Sequence, residues 1–306
     1  MQTIDLPAVR RLYRSGVNVI DHLRAQLGSQ LNTEQLVETS YDMQSGSYVR
    51  FVEANPERVK PYHDELAALL GRFILDGDSV LDVGTGEMTT LAAVADASYG
   101  QVSEAFATDI SLSRLVVGKR YLNRRLRASL ERKIKPVVST LFRLPFADAS
   151  IDVIWTSHAL EPNGGREQEA LSELVRVARR TLVLFEPSYE NNVSEGRARM
   201  ARLGYVKGIP EVIGRIANVT LEEVVRIENT ENPLNPTHAY LLRKTSAATG
   251  GTPVLRCPLS HGPLEQRSGY LYSTNALLAY PVIEDIPILR IEKGISASVL
   301  DLTESE

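Results

Sequence analysis

Val80-Leu-Asp-Val-Gly-Thr-Gly-Glu-Met-Thr-Thr-Leu91 constrains this chain more than any other stretch. An aliphatic run meets two glycines one residue apart, and a helical pattern follows. The aliphatic residues suit a buried strand, and the glycines suit a tight turn whose backbone can approach a ligand. An acidic residue, Asp109, closes the next predicted strand about 25 residues on. In this order a loop can pass close under an adenosine-containing cofactor while a carboxylate holds the ribose hydroxyls. A nicotinamide dinucleotide is the competing reading, but its Gly-x-Gly-x-x-Gly pattern is incomplete here.

The surrounding pattern predicts an α/β protein. Residues 5–75 read as helical, in stretches near 9–23, 34–54 and 61–75, and Asp76-Gly-Asp78 ends them. Strands are then predicted at 80–83, 105–108, 136–139, 151–156 and 181–185. Helices at 89–98, 112–126 and 167–178 stand between them. Such alternation argues for a mostly parallel sheet with helices on both faces. Further helices are expected at 193–203 and 209–216. Segments 224–227 and 238–242 would be an antiparallel edge, which brings the sheet to seven strands. The small, polar run 245–252 reads as a linker, 253–291 as a small β-rich appendage and 292–306 as a polar tail. The expected units are therefore an N-terminal helical region at 1–75, a Rossmann-like core at 76–245 and the appendage at 253–291.

Composition narrows the function. A net charge of −4 does not suggest a nucleic-acid protein, although cations are dense between Arg114 and Arg132. A single cysteine, Cys257, excludes an intrachain disulfide and fits a reducing cytoplasm. No signal peptide is expected at Met-Gln-Thr-Ile-Asp-Leu, and the longest apolar runs are too short to span a bilayer. A small-molecule substrate, no membrane partner and a homodimer are the expectations for partners.

The order of these signals resembles the class I S-adenosylmethionine-dependent methyltransferases over about 75–245. Asp82-Val-Gly-Thr-Gly86 is similar to that family's first motif, and Ala107-Thr-Asp-Ile110 to its second. Leu144-Pro-Phe-Ala-Asp-Ala-Ser-Ile-Asp-Val153 looks like its Leu-Pro-Phe…Asp-Val segment. The resemblance implies S-adenosyl-L-methionine as cofactor. It implies that Gly84 and Gly86 approach the methionine end, that Asp82 holds the loop or the methionine amino group, and that Asp109 binds both ribose hydroxyls beside Ile110. Two positions depart from the family pattern. Met88 stands where a third glycine is common, and Thr140 where an aspartate often bonds the adenine. Adenine contact is then expected from Thr140 and the Leu141 backbone.

Thr156-Ser-His-Ala-Leu-Glu161 ends the fourth strand, where cofactor and substrate meet in such folds. Ser157 is a further cofactor candidate, and His158 and Glu161 are the catalytic candidates. Methyl transfer mainly needs positioning and desolvation, but a hydroxyl acceptor gains from a general base, and histidine suits neutral pH. His158 could equally be structural, and Glu161 could brace the turn Pro162-Asn-Gly-Gly165. Upstream, Tyr41, Gln44 and Tyr48 are candidate lid residues over the cofactor, with a helix break at Gly46 as the alternative. Glu186-Pro-Ser-Tyr189 is also placed to touch a substrate.

The segment from Arg256-Cys-Pro-Leu-Ser-His-Gly-Pro-Leu264 to Leu289 resembles the zinc-ribbon proteins that partner tRNA and translation-factor methyltransferases. It offers only Cys257 and His261, too few for a tetrahedral site, so no metal is expected. Its expected core is Leu255, Leu271, Tyr280, Val282, Ile286 and Ile288. The leading expectation is a methyltransferase acting on an O or N atom of a small polar metabolite or of a sugar or glycoconjugate. A tRNA or rRNA base methyltransferase and a noncatalytic cofactor-binding scaffold are the alternatives.

Overall fold

The computed structural model describes residues 4–29, 31–230, 232–245 and 252–301. The predicted linker, 245–252, lies almost wholly outside the described residues, as does the end of the predicted tail.

Five helices precede the sheet: α1 (Leu6–Arg14), α2 (Val19–Leu27), α3 (Glu34–Met43), α4 (Ser47–Ala54) and α5 (Pro56–Gly71). Two stretches predicted as single helices are divided. Gly16 has a positive φ, and the Asn18 side chain then caps α2. Gly46, at φ +88°, separates α3 from α4, as the alternative reading allowed. The third helix starts earlier than expected, at Pro56, because proline is preorganised for the first helical position.

The core follows as β1 (Ser79–Val83), α6 (Thr89–Ser98), β2 (Glu104–Asp109), α7 (Leu112–Arg125), α8 (Ala128–Glu131) and β3 (Ile134–Val138). Then come β4 (Ile151–Ser157), α9 (Glu167–Val177), β5 (Ala178–Pro187), α10 (Ser194–Leu203), α11 (Ile209–Ile213), β6 (Val219–Arg226) and β7 (Thr237–Lys244). The seven strands order as β3-β2-β1-β4-β5-β7-β6. The first five are parallel; β7 runs antiparallel to β5, and β6 antiparallel to β7, so in this sheet β7 alone is reversed. This is the Rossmann-like sheet expected from the alternating pattern.

Side chains alternate across the sheet as the pleat demands. Val80, Val153, Trp155 and Val183 join one core cluster with residues of α5, α6 and α7. Leu81, Ile154, Leu182 and Leu184 join another with α9 and α11. Trp155 is fully buried, and its indole N–H donates to the Tyr99 hydroxyl at 2.9 Å.

The C-terminal strands are β8 (Glu265–Arg267), β9 (Tyr270–Ser273), β10 (Leu278–Ile283), β11 (Ile286–Pro287) and β12 (Ile295–Ser296). They form a second, antiparallel sheet, so the start of the expected polar tail is partly a strand. Leu271 and Tyr280 lie in its core, joined by Cys257, Leu289 and Val137 of β3, with Leu255 and Val282 packed at the side. Ile286 and Ile288 instead enter the main core. The reason is that this unit seals the open edge of the large sheet. Ile288 bridges Val138 in parallel, and the Leu289 N–H donates to the Val138 carbonyl at 2.8 Å. An unpaired sheet edge is thereby covered within the chain.

The same unit grips α3. Arg290, 3% exposed, pairs with Glu38 of α3 at 2.6 Å and with Glu292, and Lys293 reaches Glu38 at 3.4 Å. Removing the guanidinium takes the charged partner from Glu292 and the nearer of two cations from Glu38. Arg290→Met should cost about 1–3 kcal/mol in denaturant unfolding and speed amide exchange in α3. An unchanged midpoint together with unchanged exchange in α3 would show that the contact contributes nothing.

Candidate active site

One cavity of about 790 Å³ opens at the carboxyl ends of the parallel strands, between the core and the N-terminal helices. Its wall includes Tyr41, Gly84, Asp109, Ile110, Thr140, Leu141, Ser157, His158 and Glu161. Nine of the residues singled out from sequence motifs are thus brought together. Asp82 and Gly86 are not in the wall. Gly86 is covered by the Arg114 side chain, and Asp82 is buried in β1, where burial pushes its carboxyl up to about 8. The lid candidates Gln44 and Tyr48 also line the space.

The glycine turn is built for close approach. Gly84 has φ +74°, and a Cβ there would stand 2.3 Å from that of Ala159. The Asp109 carboxylate, 6% exposed, accepts the Gly86 N–H and the Ser111 N–H, each at 2.9 Å. Each oxygen keeps a lone pair, enough for two ligand hydroxyls. Ser139 Oγ is buried in the same wall and has no partner within the protein. A free hydroxyl, a cradle closed to any Cβ and an acid with spare acceptor capacity fit an adenosine-bearing ligand.

Met88 keeps the left-handed conformation of a glycine, at φ 56°. Its bulk is accommodated by Gly118 of α7, where a Cβ would meet Met88 Cγ at 2.8 Å. Its neighbour Glu87 turns the other way. The Glu87 carboxylate, 1% exposed, accepts the N–H groups of Gly46 at 2.9 Å and Val49 at 2.8 Å. It satisfies the first turn of α4, which has no cap from its own Gly46. The glycine turn and the start of α4 are therefore fastened to each other.

Next to Ala159, which packs on the glycine turn, His158 follows β4 in a left-handed conformation, φ +57°. That conformation is uncommon outside glycine, with histidine among the residues that adopt it more often, and such positions cluster at functional sites. Nδ1 meets the Glu161 carboxylate in a short hydrogen bond, and Nε2 meets Thr237 Oγ1 at 3.0 Å. Burial pulls the imidazole pKa down, but the charge and hydrogen bond of Glu161 outweigh it and leave it raised above 6.5. Burial likewise opposes ionisation of Glu161, yet the histidine holds its carboxyl below the usual value.

Sequence reasoning placed Glu186 beside the substrate. Its position is behind the His158–Glu161 segment instead. Oε1 accepts Thr156 Oγ1 at 2.7 Å, the Ala159 N–H at 3.0 Å and the Leu160 N–H at 3.1 Å, and Oε2 accepts the Glu161 N–H at 3.1 Å. Glu186 is fully buried, and burial pushes its pKa up to about 7. Tyr62, Arg199, Tyr205, Asn235 and Thr237 complete the polar wall. None of these five carries a local sequence signature; they arrive from α5, α10 and the segments around β7.

Among the described residues, no three His, Cys, Asp or Glu side chains gather where a metal could be held. Cys257 is buried, with Sγ 3.4 Å from the Tyr280 hydroxyl, whereas His261 is exposed. No helix is long and apolar enough among the described residues to cross a membrane.

Comparison with known proteins agrees with this geometry. Residues 81–184 match the methyltransferase domain family. That match spans β1 to β5, about a third of the chain, and carries the glycine turn and Asp109. S-adenosyl-L-methionine is the cofactor for which such a core is built. Among solved structures, the fold resembles magnesium protoporphyrin IX methyltransferase from Synechocystis PCC 6803 with bound SAH. That match has 13% identity and a TM-score of 0.53, covering 70% of this chain and all of that one. It also resembles a chain of the complex that the Haloferax volcanii Trm112 methyltransferase activator forms. There the identity is 18% and the TM-score 0.51, over 67% of this chain and 96% of that one. No curated protein matches the chain by sequence.

Proposed function

We propose that this methyltransferase acts on a hydroxyl or amine of a small polar acceptor, a metabolite or sugar, with His158 as general base. One observation carries the reading: the His158–Glu161 pair opens into the same cavity as Gly84 and Asp109. Bound there, S-adenosylmethionine supplies an electrophilic methyl group on a sulfonium. Asp109 would hold the ribose hydroxyls, Ile110 and Leu141 would flank the adenine, and Thr140 and Ser139 would offer hydroxyls at its edge. Gly84 and Ser157 would leave room for the methionine end, and Asp82 supports the turn from behind.

On the acceptor side, a hydroxyl takes the place of Thr237 at His158 Nε2 and gives up its proton there. Glu161 fixes the tautomer with hydrogen on Nδ1 and stabilises the imidazolium that forms. Tyr62, Arg199 and Asn235 supply further polar contacts. The helices close this space with Tyr13, Val17, Phe51 and Tyr62, which suits a small acceptor better than a polynucleotide. The Haloferax volcanii structure holds a separate methyltransferase activator. In this chain we infer that the C-terminal unit supports the core in cis, through the β3 edge and Glu38.

The test is cofactor binding followed by acceptor screening. Asp109→Ala should weaken affinity for S-adenosylhomocysteine in calorimetry by about 10-fold or more, the cost of lost charge-assisted hydrogen bonds. Unchanged affinity would remove the acid from the ribose site. Labelled methyl transfer into small-molecule, glycan, RNA and protein fractions should mark a small-molecule or glycan fraction. Label confined to RNA or protein would overturn the acceptor assignment.

A further inference from the structure

The cofactor crevice holds a cation that the chemistry described above does not use. Arg114 sits in the first turn of α7, whose cap Ser111 is fastened to Asp109. Its guanidinium covers the glycine turn so closely that a Cβ on Gly86 would stand 2.4 Å from Nη2. Two aromatic rings from the lid flank it. The guanidinium carbon is 5.0 Å from the centre of the Tyr41 ring and 4.8 Å from that of Tyr48.

This cation is short of hydrogen-bond acceptors. Its Nε is buried and has no partner. Asp109 and Glu87 attract its charge, but their oxygens accept backbone N–H groups, Asp109 from Gly86 and Ser111 and Glu87 from the start of α4, rather than the guanidinium. Aromatic faces stabilise a guanidinium by only about 0.5–2 kcal/mol and accept none of its N–H bonds. A planar fork facing into a cavity, beside a turn that admits no side chain, is prepared for an anion with two acceptor oxygens.

We propose that Arg114 receives the carboxylate of the cofactor's amino-acid end, with Tyr41 and Tyr48 closing over the pair. The inference rests on the reading that S-adenosylmethionine occupies this cavity. Within that ligand the choice is forced by charge. Adenine and ribose are neutral, and the sulfonium and amino groups are cationic and repelled by a guanidinium. The carboxylate is the one anion the ligand has. Asp109 and Arg114, which attract each other across Gly86, then take different parts of the ligand: the acid the ribose hydroxyls and the guanidinium the carboxylate. The arrangement also explains why the lid forms over the turn. Carboxylate binding neutralises the cation beneath Tyr41 and Tyr48, and Glu87 ties the start of the Tyr48 helix to the same loop.

The decisive experiment compares two ligands by calorimetry: S-adenosylhomocysteine and its analogue lacking the carboxylate. Wild-type protein should prefer the carboxylate form by about 10- to 100-fold, as expected for a charge-assisted bidentate pair. Arg114→Met should lose most of that preference. Its affinity for S-adenosylhomocysteine falls, and its affinity for the decarboxylated ligand stays within about threefold. Arg114→Lys, which keeps the charge without the fork, should fall between them.

Equal weakening toward both ligands would overturn the proposal and reduce Arg114 to a packing residue of the lid. Tighter binding by Arg114→Met would overturn it in favour of a plug that the ligand must displace. The wild-type comparison needs no variant, so a poorly folded Arg114→Met leaves the proposal exposed to refutation. Wild-type protein that binds neither ligand would refute the cofactor reading itself, an outcome distinct from binding both without preference.

Discussion

His158→Asn should lower kcat by about 10²- to 10⁴-fold while leaving affinity for S-adenosylhomocysteine unchanged. Asparagine is the informative replacement because residue 158 sits at φ +57°, a conformation that asparagine tolerates and most side chains do not. The variant removes the base without collapsing the turn. The wild-type pH profile should carry the same signature. Only the neutral imidazole accepts a proton, so kcat/KM should rise with pH and level off above a break higher than 6.5, because Glu161 raises the histidine against the opposing effect of burial. Glu161→Gln keeps an acceptor but removes the charge, so the break should move down. The stability contribution has the opposite sense. The charged pair helps the fold below pH 6.5, and that help is lost as pH rises through the raised value. A profile that is flat from pH 6 to 9, with activity retained in His158→Asn, would make His158 a structural residue.

The parts of this protein that could be read in its sequence are those where the backbone itself imposes a demand. Gly84 is legible because any Cβ would strike Ala159, and Asp109 because the end of β2 points into the crevice. Apolar runs such as 153–155 are legible because both faces of the parallel strands are buried. The helix breaks were harder to place. Apolar spacing continues through Gly16 and Gly46, and only the local conformation there divides the helices.

Hardest of all are residues whose meaning lies in a partner distant along the chain. Glu87 looks like an ordinary acid after a glycine turn, yet it caps a helix that begins some forty positions earlier. Met88 reads as a departure from pattern until Gly118, thirty positions later, is seen to make room for it. Ile286 and Ile288 read as the core of a separate unit but complete the main one, because the open edge at β3 needed covering. No periodicity encodes such pairings; the packing of the sheet creates them.

Glu186 shows how strongly such a hidden contact can control the site, and its removal should be the most damaging change to the fold. Glu186→Ala leaves the N–H groups of Ala159, Leu160 and Glu161 and the Thr156 hydroxyl without their acceptor, inside a fully buried space. Unsatisfied buried groups cost about 1–3 kcal/mol each, and partial relaxation of the segment should hold the total near 3–5 kcal/mol. Glu186→Gln should be milder. Its oxygen can keep the bonds to Thr156, Ala159 and Leu160, and only the Glu161 N–H then faces an amide donor. Glutamine also removes a carboxyl that burial pushes up to about 7, so it tests a second sign. A raised acid makes the wild-type fold less stable as pH climbs from about 4.5 to 7, and this slope should disappear in Glu186→Gln. Because the same oxygens set the Ala159–Glu161 backbone, both variants should lose activity beyond their loss of stability, with kcat falling while cofactor affinity at Asp109 is preserved. Denaturant midpoints across pH, measured beside kcat, decide the matter. If Glu186→Ala unfolds at the wild-type midpoint and turns over normally, the segment holding His158 is positioned by something other than this carboxylate.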